Sequence, residues 1–326
     1  RRIIQAMDKT GGGASYQDDS YVDNQVYRCD AFAEKGATLT VSRHDSSPWG
    51  LYVTVSPESV FGVALFQPDK KDCERLFKAI NKILKKMNSP HKLENMTLSR
   101  ITLASESEFE NHGMAGQYLA IIRQAIVPRH YKTMLFCEDE LWGASQIVNR
   151  HAVRLCCASK TFLACDSVAL REMEDLFSIA QPKEKALHFQ LNLRRKAICG
   201  AFKGKAPKNH YKTLVQLTEK TPRLIIQQLR QMKVLADCYV GYNEAVSLVS
   251  DVNDKKTRKR MLYLLDKTRK TGSLSEAIDK LRDKYDLSKR QANRVLRKFQ
   301  KLGFSPITLQ ERYDKPLPGL GILLNG

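Results

Sequence analysis

The residues best suited to chemistry in this 326-residue sequence are cations, and they are concentrated towards its end. Residues 251–302 contain seventeen Lys and Arg but only seven Asp and Glu, an excess of ten out of a formal net charge of +19. A protein with such an excess binds a polyanion because binding releases the counterions condensed on it. The charge therefore predicts nucleic acid as the partner.

Within this basic stretch, the spacing of apolar residues predicts two short helices joined by a sharp turn, a helix-turn-helix over residues 273–301. Ser273 and Ser288 stand where the N-caps of the two helices are expected. In such a motif the second helix turns early residues towards base edges and long cations towards phosphates. The alternative is a basic helix whose cations only solvate its outer face. The predicted DNA contacts on the second helix are Ser288, Lys289, Arg290, Gln291, Arg294, Arg297 and Lys298.

Two further groups of cations are candidates for phosphate contacts. One group precedes the helix-turn-helix and can line up with it: Lys255, Lys256, Arg258, Lys259 and Arg260. The other group lies on strands predicted earlier in the chain: Lys160, Arg194, Arg195 and Lys196. For the second group, the alternative is a solvated sheet edge.

His188, Gln190 and Asn192 alternate along a predicted strand. Residues two apart on a strand share a face, so these three could present one nitrogen and two oxygens to a divalent cation. The alternative is the polar face of a half-exposed strand. No His-x-His pair occurs among the seven histidines, so His188 and Gln190 are the nearest substitute for that metal-binding pair.

A nucleophile for DNA would be a tyrosine near such a face with a cation beside it. Tyr211, followed by Lys212, and Tyr118, about one helical turn from Arg123, are the two candidates, with Tyr131 third. For each of them the alternative is a packing residue on an amphipathic element.

The elements that must position these residues fall into four segments. Residues 1–24, with three consecutive glycines, read as a flexible arm. Strand and helix periodicities over residues 25–205 predict an α+β domain, a largely antiparallel sheet with helices on one face. Glycine and proline near residue 205 mark a boundary. Residues 206–303 then show only helical periodicity, and residues 304–326 form a tail.

Several classes of protein are excluded by composition and motif. The eight cysteines include no C-x-x-C pair, which argues against a zinc ribbon and a disulfide framework and favours buried thiols in a reducing cytoplasm. No apolar run approaches twenty residues and no lipidation signal is present, so membrane attachment is not expected. Walker A, dinucleotide-binding, nucleophile-elbow and zincin motifs are all missing from the sequence.

Several strands and the end of the chain carry a resemblance to a family. The strand segments are residues 51–55, 98–103, 152–160 and 187–196, and the tail phrases are residues 259–262, 272–275 and 301–308, the last reading KLGFSPIT. Together they resemble the filamentous-phage gene II/X type of rolling-circle replication initiator, which also occurs on plasmids. Such proteins are similar to the HUH endonucleases, in which a sheet holds a divalent cation and a tyrosine attacks DNA.

The resemblance implies an HUH/Rep-like sheet, Mg²⁺ or Mn²⁺ as cofactor, and a tyrosine that keeps the 5′ end covalently. It also implies a duplex site and single-stranded DNA as ligands, a bacterial, phage or plasmid source, and assembly with a second copy or with replication proteins. Four positions depart from the family pattern by losing a carboxylate. They are Thr54, Thr102, the triplet Ala158-Ser159-Lys160 and Gln190.

Two hypotheses follow from the resemblance and its departures. The first is a DNA-binding initiator that recognises a specific site and nicks it through a tyrosine. The second is a catalytically inactive relative that serves as a DNA- or RNA-binding regulatory subunit, since hard cations need the oxygen ligands that have been lost.

Overall fold

The strands of the described residues pair antiparallel in three sheets and helices make up most of the remaining described chain, which is an α+β fold, as the sequence predicted. A computed structural model describes residues 2–10, 24–44, 48–62, 68–133, 151–172, 185–205, 210–310 and 315–324. The chain divides into two compact units: residues 1–99, 174–181 and 198–219 form the first, and residues 100–173, 182–197 and 220–326 form the second.

The helices and strands of the described residues have the following bounds. The helices are α1 (Arg2–Lys9), α2 (Pro57–Phe61), α3 (Lys70–Lys86), α4 (His112–Arg123), α5 (Ser167–Glu172), α6 (Arg195–Ala201), α7 (His210–Glu219), α8 (Thr221–Gln231), α9 (Tyr242–Ser250), α10 (Lys255–Thr271), α11 (Leu274–Tyr285), α12 (Lys289–Lys301) and α13 (Leu320–Leu323). The strands are β1 (Asn24–Cys29), β2 (Ala37–His44), β3 (Gly50–Val55), β4 (Arg100–Glu108), β5 (Lys132–Thr133), β6 (Ala152–Cys157), β7 (Lys160–Asp166), β8 (Ala186–Arg194), β9 (Cys238–Tyr239) and β10 (Leu317–Pro318).

The first unit packs helix α3 on a three-stranded sheet of order β1-β2-β3. Asp69 begins α3 with a reciprocal capping box to Asp72, and the apolar residues that follow at helical spacing are buried. Helix α1 joins the same core, with Met7 fully buried. Arg2–Lys9 is therefore helical where a flexible arm was predicted, because its apolar residues also recur at helical spacing. The glycines at 11–13 lie outside the described residues.

The second unit contains a five-stranded antiparallel sheet of order β4-β8-β7-β6-β5. One face is apolar and buried, with Leu103, Leu155, Phe162 and Leu191 among its residues. Helix α4 packs on β6, β7 and β8, and α8 packs on β4 and β8. The opposite face carries the polar members of the strands, including His188, as strand alternation requires.

The helices after residue 220 belong to the same unit as this sheet, whereas the sequence placed a domain boundary near residue 205. Backbone hydrogen bonds tie them to α4 and its following loop, from Leu274 N–H to the Gln124 carbonyl at 2.8 Å and from Ile126 N–H to the Met232 carbonyl at 3.0 Å. Within residues 304–310 and 315–324, packed structure replaces the tail that was predicted. Phe304 is fully buried, and β10 pairs with β9.

Candidate nucleic-acid interface

Helices α11 and α12 are joined by the three residues Asp286, Leu287 and Ser288. Asp286 has the left-handed backbone that ends α11, with φ of 47°, and Leu287 is buried. Ser288 begins α12 with a capping box: its hydroxyl accepts from Gln291 N–H at 3.3 Å, and Gln291 Oε1 accepts from Ser288 N–H at 2.8 Å. Ser288 and Gln291, both predicted as DNA contacts, thus use their side-chain oxygens to cap the start of the helix. The side-chain N–H groups of Gln291 are not used in this cap.

Helix α12 has one buried side and one cationic side. Ala292, Val295, Leu296 and Phe299 are buried against the neighbouring helices. On the opposite side Arg290, Arg294, Arg297 and Lys301 follow one another at intervals of three or four residues, so they share a face, and all four are exposed. With Lys289 and Lys298, this thirteen-residue helix holds six cations and no acid. We call the set Arg290, Arg294, Arg297 and Lys301 the cationic stripe.

Several cations of α10 and α11 have acidic partners, whereas in the described chain those of α12 have none. In α10 and α11, Lys270 pairs with Asp266 at 2.9 Å, Lys280 with Glu276 at 2.6 Å and Arg282 with Asp279 at 3.3 Å. Within the part of the chain that the structure describes, no carboxylate lies at ion-pair distance from any cation of α12. Lys255, Lys256 and Lys259 of α10 also have no ion-pair partner among the described residues, so what sets α12 apart is that it holds six cations and no acid.

The first turn of α10 lies beside α12. Asp254 caps α10 by accepting from Lys256 N–H at 3.1 Å and from the Thr257 hydroxyl. The Thr257 hydrogen bond, the backbone N–H groups and the positive charge of Lys298 together lower the pKa of Asp254. Lys298 is therefore near the start of α10, where Lys255 and Lys256 are exposed. These lysines form one cationic margin of α12.

Two residues of the predicted basic cluster on α10 bind protein groups. Arg258 Nη1 donates to the Ser250 carbonyl at 3.2 Å and so satisfies the end of α9. The Arg260 guanidinium lies over the Tyr285 ring, 5.8 Å from its centroid, and joins α10 to α11. Lys259 is exposed. The phosphate contacts predicted for Arg258 and Arg260 are therefore reassigned to helix packing.

The cations predicted on the sheet separate into two kinds. Lys160 is half-buried over the Tyr131 ring, 5.4 Å from its centroid, and burial lowers its pKa, so it is placed for packing. Arg194, Arg195 and Lys196 are exposed where β8 passes into α6. The register sets Arg100 directly opposite Arg194, an unfavourable like-charge pair unless an anion lies between them. Only strand pairing reveals Arg100, so the sequence did not point to it.

The polar face of β8 offers few ligands for a hard cation. His188 and Gln190 are 6% and 4% exposed, and His188 Nδ1 lies 3.6 Å from Glu106 Oε2 on β4, an acid that the sequence did not single out. Asn192 donates to the Thr102 hydroxyl at 3.4 Å. Among the described residues, no cluster of three or more His, Cys, Asp and Glu side chains could hold a metal ion. One carboxylate beside one imidazole does not fit Mg²⁺, which requires octahedral oxygen ligands.

The candidate tyrosines are not activated as nucleophiles. Tyr118 is fully buried and donates to the Pro318 carbonyl at 2.8 Å; burial raises its pKa, so it cannot reach DNA and is reassigned to the core. Tyr131 donates to Gln228 Oε1 at 2.7 Å, and burial raises its pKa as well. Tyr211 donates to Glu94 at 3.2 Å; burial and then the Glu94 charge raise its pKa. Tyr211 belongs to the first unit, whereas His188 belongs to the second.

No family model, curated protein or solved structure matches this chain. None of its described helices combines the length and the apolar character needed to cross a membrane.

The arrangement around α12 can bind a polyanion and discriminate between ligands. Arginine presents a planar fork of donors that matches guanine edges and phosphates, whereas lysine offers a point charge. The stripe provides three arginines at the centre of the surface, and the margin at α10 provides lysines. This division suits base contacts at the centre and phosphate contacts at the edge.

Proposed function

We propose that the chain is a DNA-binding protein of the rolling-circle replication initiator type, and that α10, α11 and α12 form a helix-turn-helix that binds a specific duplex site. The observation that carries the proposal is the unpaired cationic stripe on α12, a helix without acids, beside neighbouring helices on which Lys270, Lys280 and Arg282 are paired with acids. Six cations on one short helix without acids repel one another, and a bound polyanion relieves this repulsion.

The stripe runs from the capped end of α12, which is the end that enters the major groove in this class of motif. Arg290 and Arg294 lie in the first half of the helix and are assigned to base edges. Lys255 and Lys256, at the start of α10, are assigned to phosphates of one strand.

Selection of bound duplexes from a random pool, followed by anisotropy titration of the enriched site, tests this proposal. Arg294→Ala should weaken binding of that site by about 1–3 kcal/mol and relax specificity at one base pair. Lys280→Ala is the matched control, because it removes a cation that already pairs with Glu276 on the adjacent helix. Equal affinities for the two variants and the parent protein would refute the proposal.

The second hypothesis, an inactive relative that binds DNA or RNA without cutting it, is favoured by the buried Tyr118 hydroxyl and by the sparse ligands around His188. Labelled single-stranded and supercoiled DNA carrying the selected site would be incubated with Mg²⁺ or Mn²⁺. A nick with a covalent protein adduct supports the initiator reaction, whereas binding without either product supports the inactive relative. Competition with structured RNA at fixed salt separates DNA from RNA as the ligand.

A further inference from the structure

A cavity of about 110 Å³ adjoins α12 on the side away from α10. Asn293, Arg297 and Gln300 line it from α12, and their spacing of four and three residues places them along one side of the helix, next to the cationic stripe. Leu296 of α12 also lines it, and the remaining lining residues come from the segments after α8 and after α12: Lys233, Leu235, Phe304, Ser305 and Pro306.

The lining of this cavity suits a phosphate group. It contains two cations, Lys233 and Arg297, together with the amides of Asn293 and Gln300, and no acid. Leu296 and Phe304 are buried and give it an apolar floor. Charged and amide donors over such a floor favour an anion that accepts several hydrogen bonds. The cavity also shares Asn293 and Arg297 with the open groove along the stripe, whose other lining residues are Lys289, Arg290 and Arg294.

The cavity and the α10 margin thus lie on opposite sides of the stripe. A helix in the major groove of B-form DNA, about 12 Å wide, has one sugar–phosphate backbone on each side. We propose that the cavity binds a backbone phosphate through Lys233 and Arg297, so that α12 lies between the two strands of B-form duplex DNA. This inference rests on the proposed function and specifies its ligand, because the deep, narrow major groove of A-form RNA does not admit a helix flanked in this way.

Lys233 and a second lysine give a matched pair of variants. Lys233 follows α8 with the left-handed φ of 59°. Its N–H donates to the Arg230 carbonyl at 3.1 Å, and Val234 N–H donates to the Leu229 carbonyl at 3.3 Å, the pattern of a helix end that usually carries glycine. Lys203 ends α6 in the same way, with φ of 55°. Both lysines are exposed, but Lys203 is in the first unit and does not line the cavity.

Lys233→Gly and Lys203→Gly therefore remove the same charge from the same backbone conformation, and glycine relieves strain at both positions. Both variants should fold, with thermal midpoints equal to or above that of the parent protein. Affinity for the selected duplex would be measured by anisotropy between 50 and 200 mM salt. Lys233→Gly should reduce the salt slope by about 0.9, so that its loss of affinity over this range is about 3.5-fold smaller than in the parent. Lys203→Gly should leave the slope unchanged.

The outcomes separate this inference from the proposed function. If Lys233→Gly behaves like Lys203→Gly while Arg294→Ala weakens binding, the cavity is not a phosphate site and the proposed function stands. If none of the three variants changes binding, both proposals fail. If an A-form RNA duplex binds as tightly as DNA with the same dependence on Lys233, the assignment to B-form DNA is overturned.

Discussion

Tyr118→Phe tests the reassignment of Tyr118 from nucleophile to core residue. The Tyr118 ring is fully buried, stacks on Phe109 with centroids 5.3 Å apart, and its hydroxyl donates to the Pro318 carbonyl at 2.8 Å. Phenylalanine keeps the ring and removes only this hydrogen bond. Unfolding free energy at pH 7 should therefore fall by about 1 kcal/mol, the usual net value of one such bond.

The same variant should behave differently in alkali. Burial raises the pKa of Tyr118 above its ordinary value of 10.0, so the folded state holds the phenol neutral. A group with a raised pKa contributes stability that is complete below the unfolded pKa and is lost as pH rises towards the folded pKa. Above pH 10 the parent protein should thus lose about 1.4 kcal/mol per pH unit through Tyr118, a loss that phenylalanine cannot show. The stability curves of the parent protein and of Tyr118→Phe should cross at roughly pH 10.7, because the parent has by then lost the advantage of about 1 kcal/mol that it holds at pH 7.

Urea unfolding followed by circular dichroism at pH 7, 10 and 11 measures both effects. A deficit that is the same at pH 7 and pH 11 would show that the phenol is not held neutral, and the core assignment would be wrong. A nicking assay supplies an independent check. If the parent protein nicks DNA and Tyr118→Phe abolishes the nick while it still binds the site, Tyr118 is the nucleophile after all.

Four other substitutions test single contacts. Ser288→Ala removes the capping box of α12 and should lower the free energy of unfolding by about 1 kcal/mol, as measured in urea. It should also weaken DNA binding in the anisotropy titration. An unchanged free energy of unfolding would contradict the capping role. Asn81→Ala should cost about 1–2 kcal/mol because Asn81 donates to both oxygens of Glu94 at 2.9 and 2.8 Å. Partial burial opposes ionisation of Glu94, but its hydrogen bonds lower its pKa below the ordinary value of 4.5. The stability that Asn81 contributes should therefore be present above pH 4.5 and lost as the pH falls further. If Asn81→Ala lost as much stability in acid as the parent protein, this explanation would be wrong. Arg258→Gln should lower the free energy of unfolding without changing the salt slope of DNA binding. Lys255→Gln should reduce the salt slope without changing the free energy of unfolding. A reduced salt slope in Arg258→Gln would restore Arg258 as a phosphate contact.

Local features of the fold could be predicted from the sequence because they depend on near neighbours in the chain. The amphipathic pattern of α3 and the serine caps at 273 and 288 are examples, and the structure contains each of them. The three glycines at 11–13 predicted a flexible arm. Met7, however, lies one helical turn from other apolar residues, and it is buried.

Features set by pairing of distant segments could not be predicted. Arg100 faces Arg194, and Glu106 faces His188, only because of the register of β4 on β8. Lys233 reaches α12 through packing of segments more than fifty residues apart, and no periodicity in the sequence points to it. Tyr118 was a candidate nucleophile because it lies about one helical turn from Arg123. This spacing does not indicate whether the side chain is buried. Chemistry inferred from spacing alone was therefore least accurate where side chains face a core.

The charge on α12 has a cost to the free protein that supports its assignment as a binding surface. Five pairs of like charges stand three or four residues apart on this helix, among Arg290, Arg294, Arg297, Lys298 and Lys301. Each costs about 0.2–0.5 kcal/mol, or roughly 1–2.5 kcal/mol in total. The capping box at Ser288 and the buried side of α12 offset this repulsion in the absence of a ligand. A bound polyanion removes this repulsion, so DNA binding and the stability of α12 are thermodynamically linked. The selected duplex should therefore raise the thermal midpoint of the parent protein more than it raises that of Arg294→Ala.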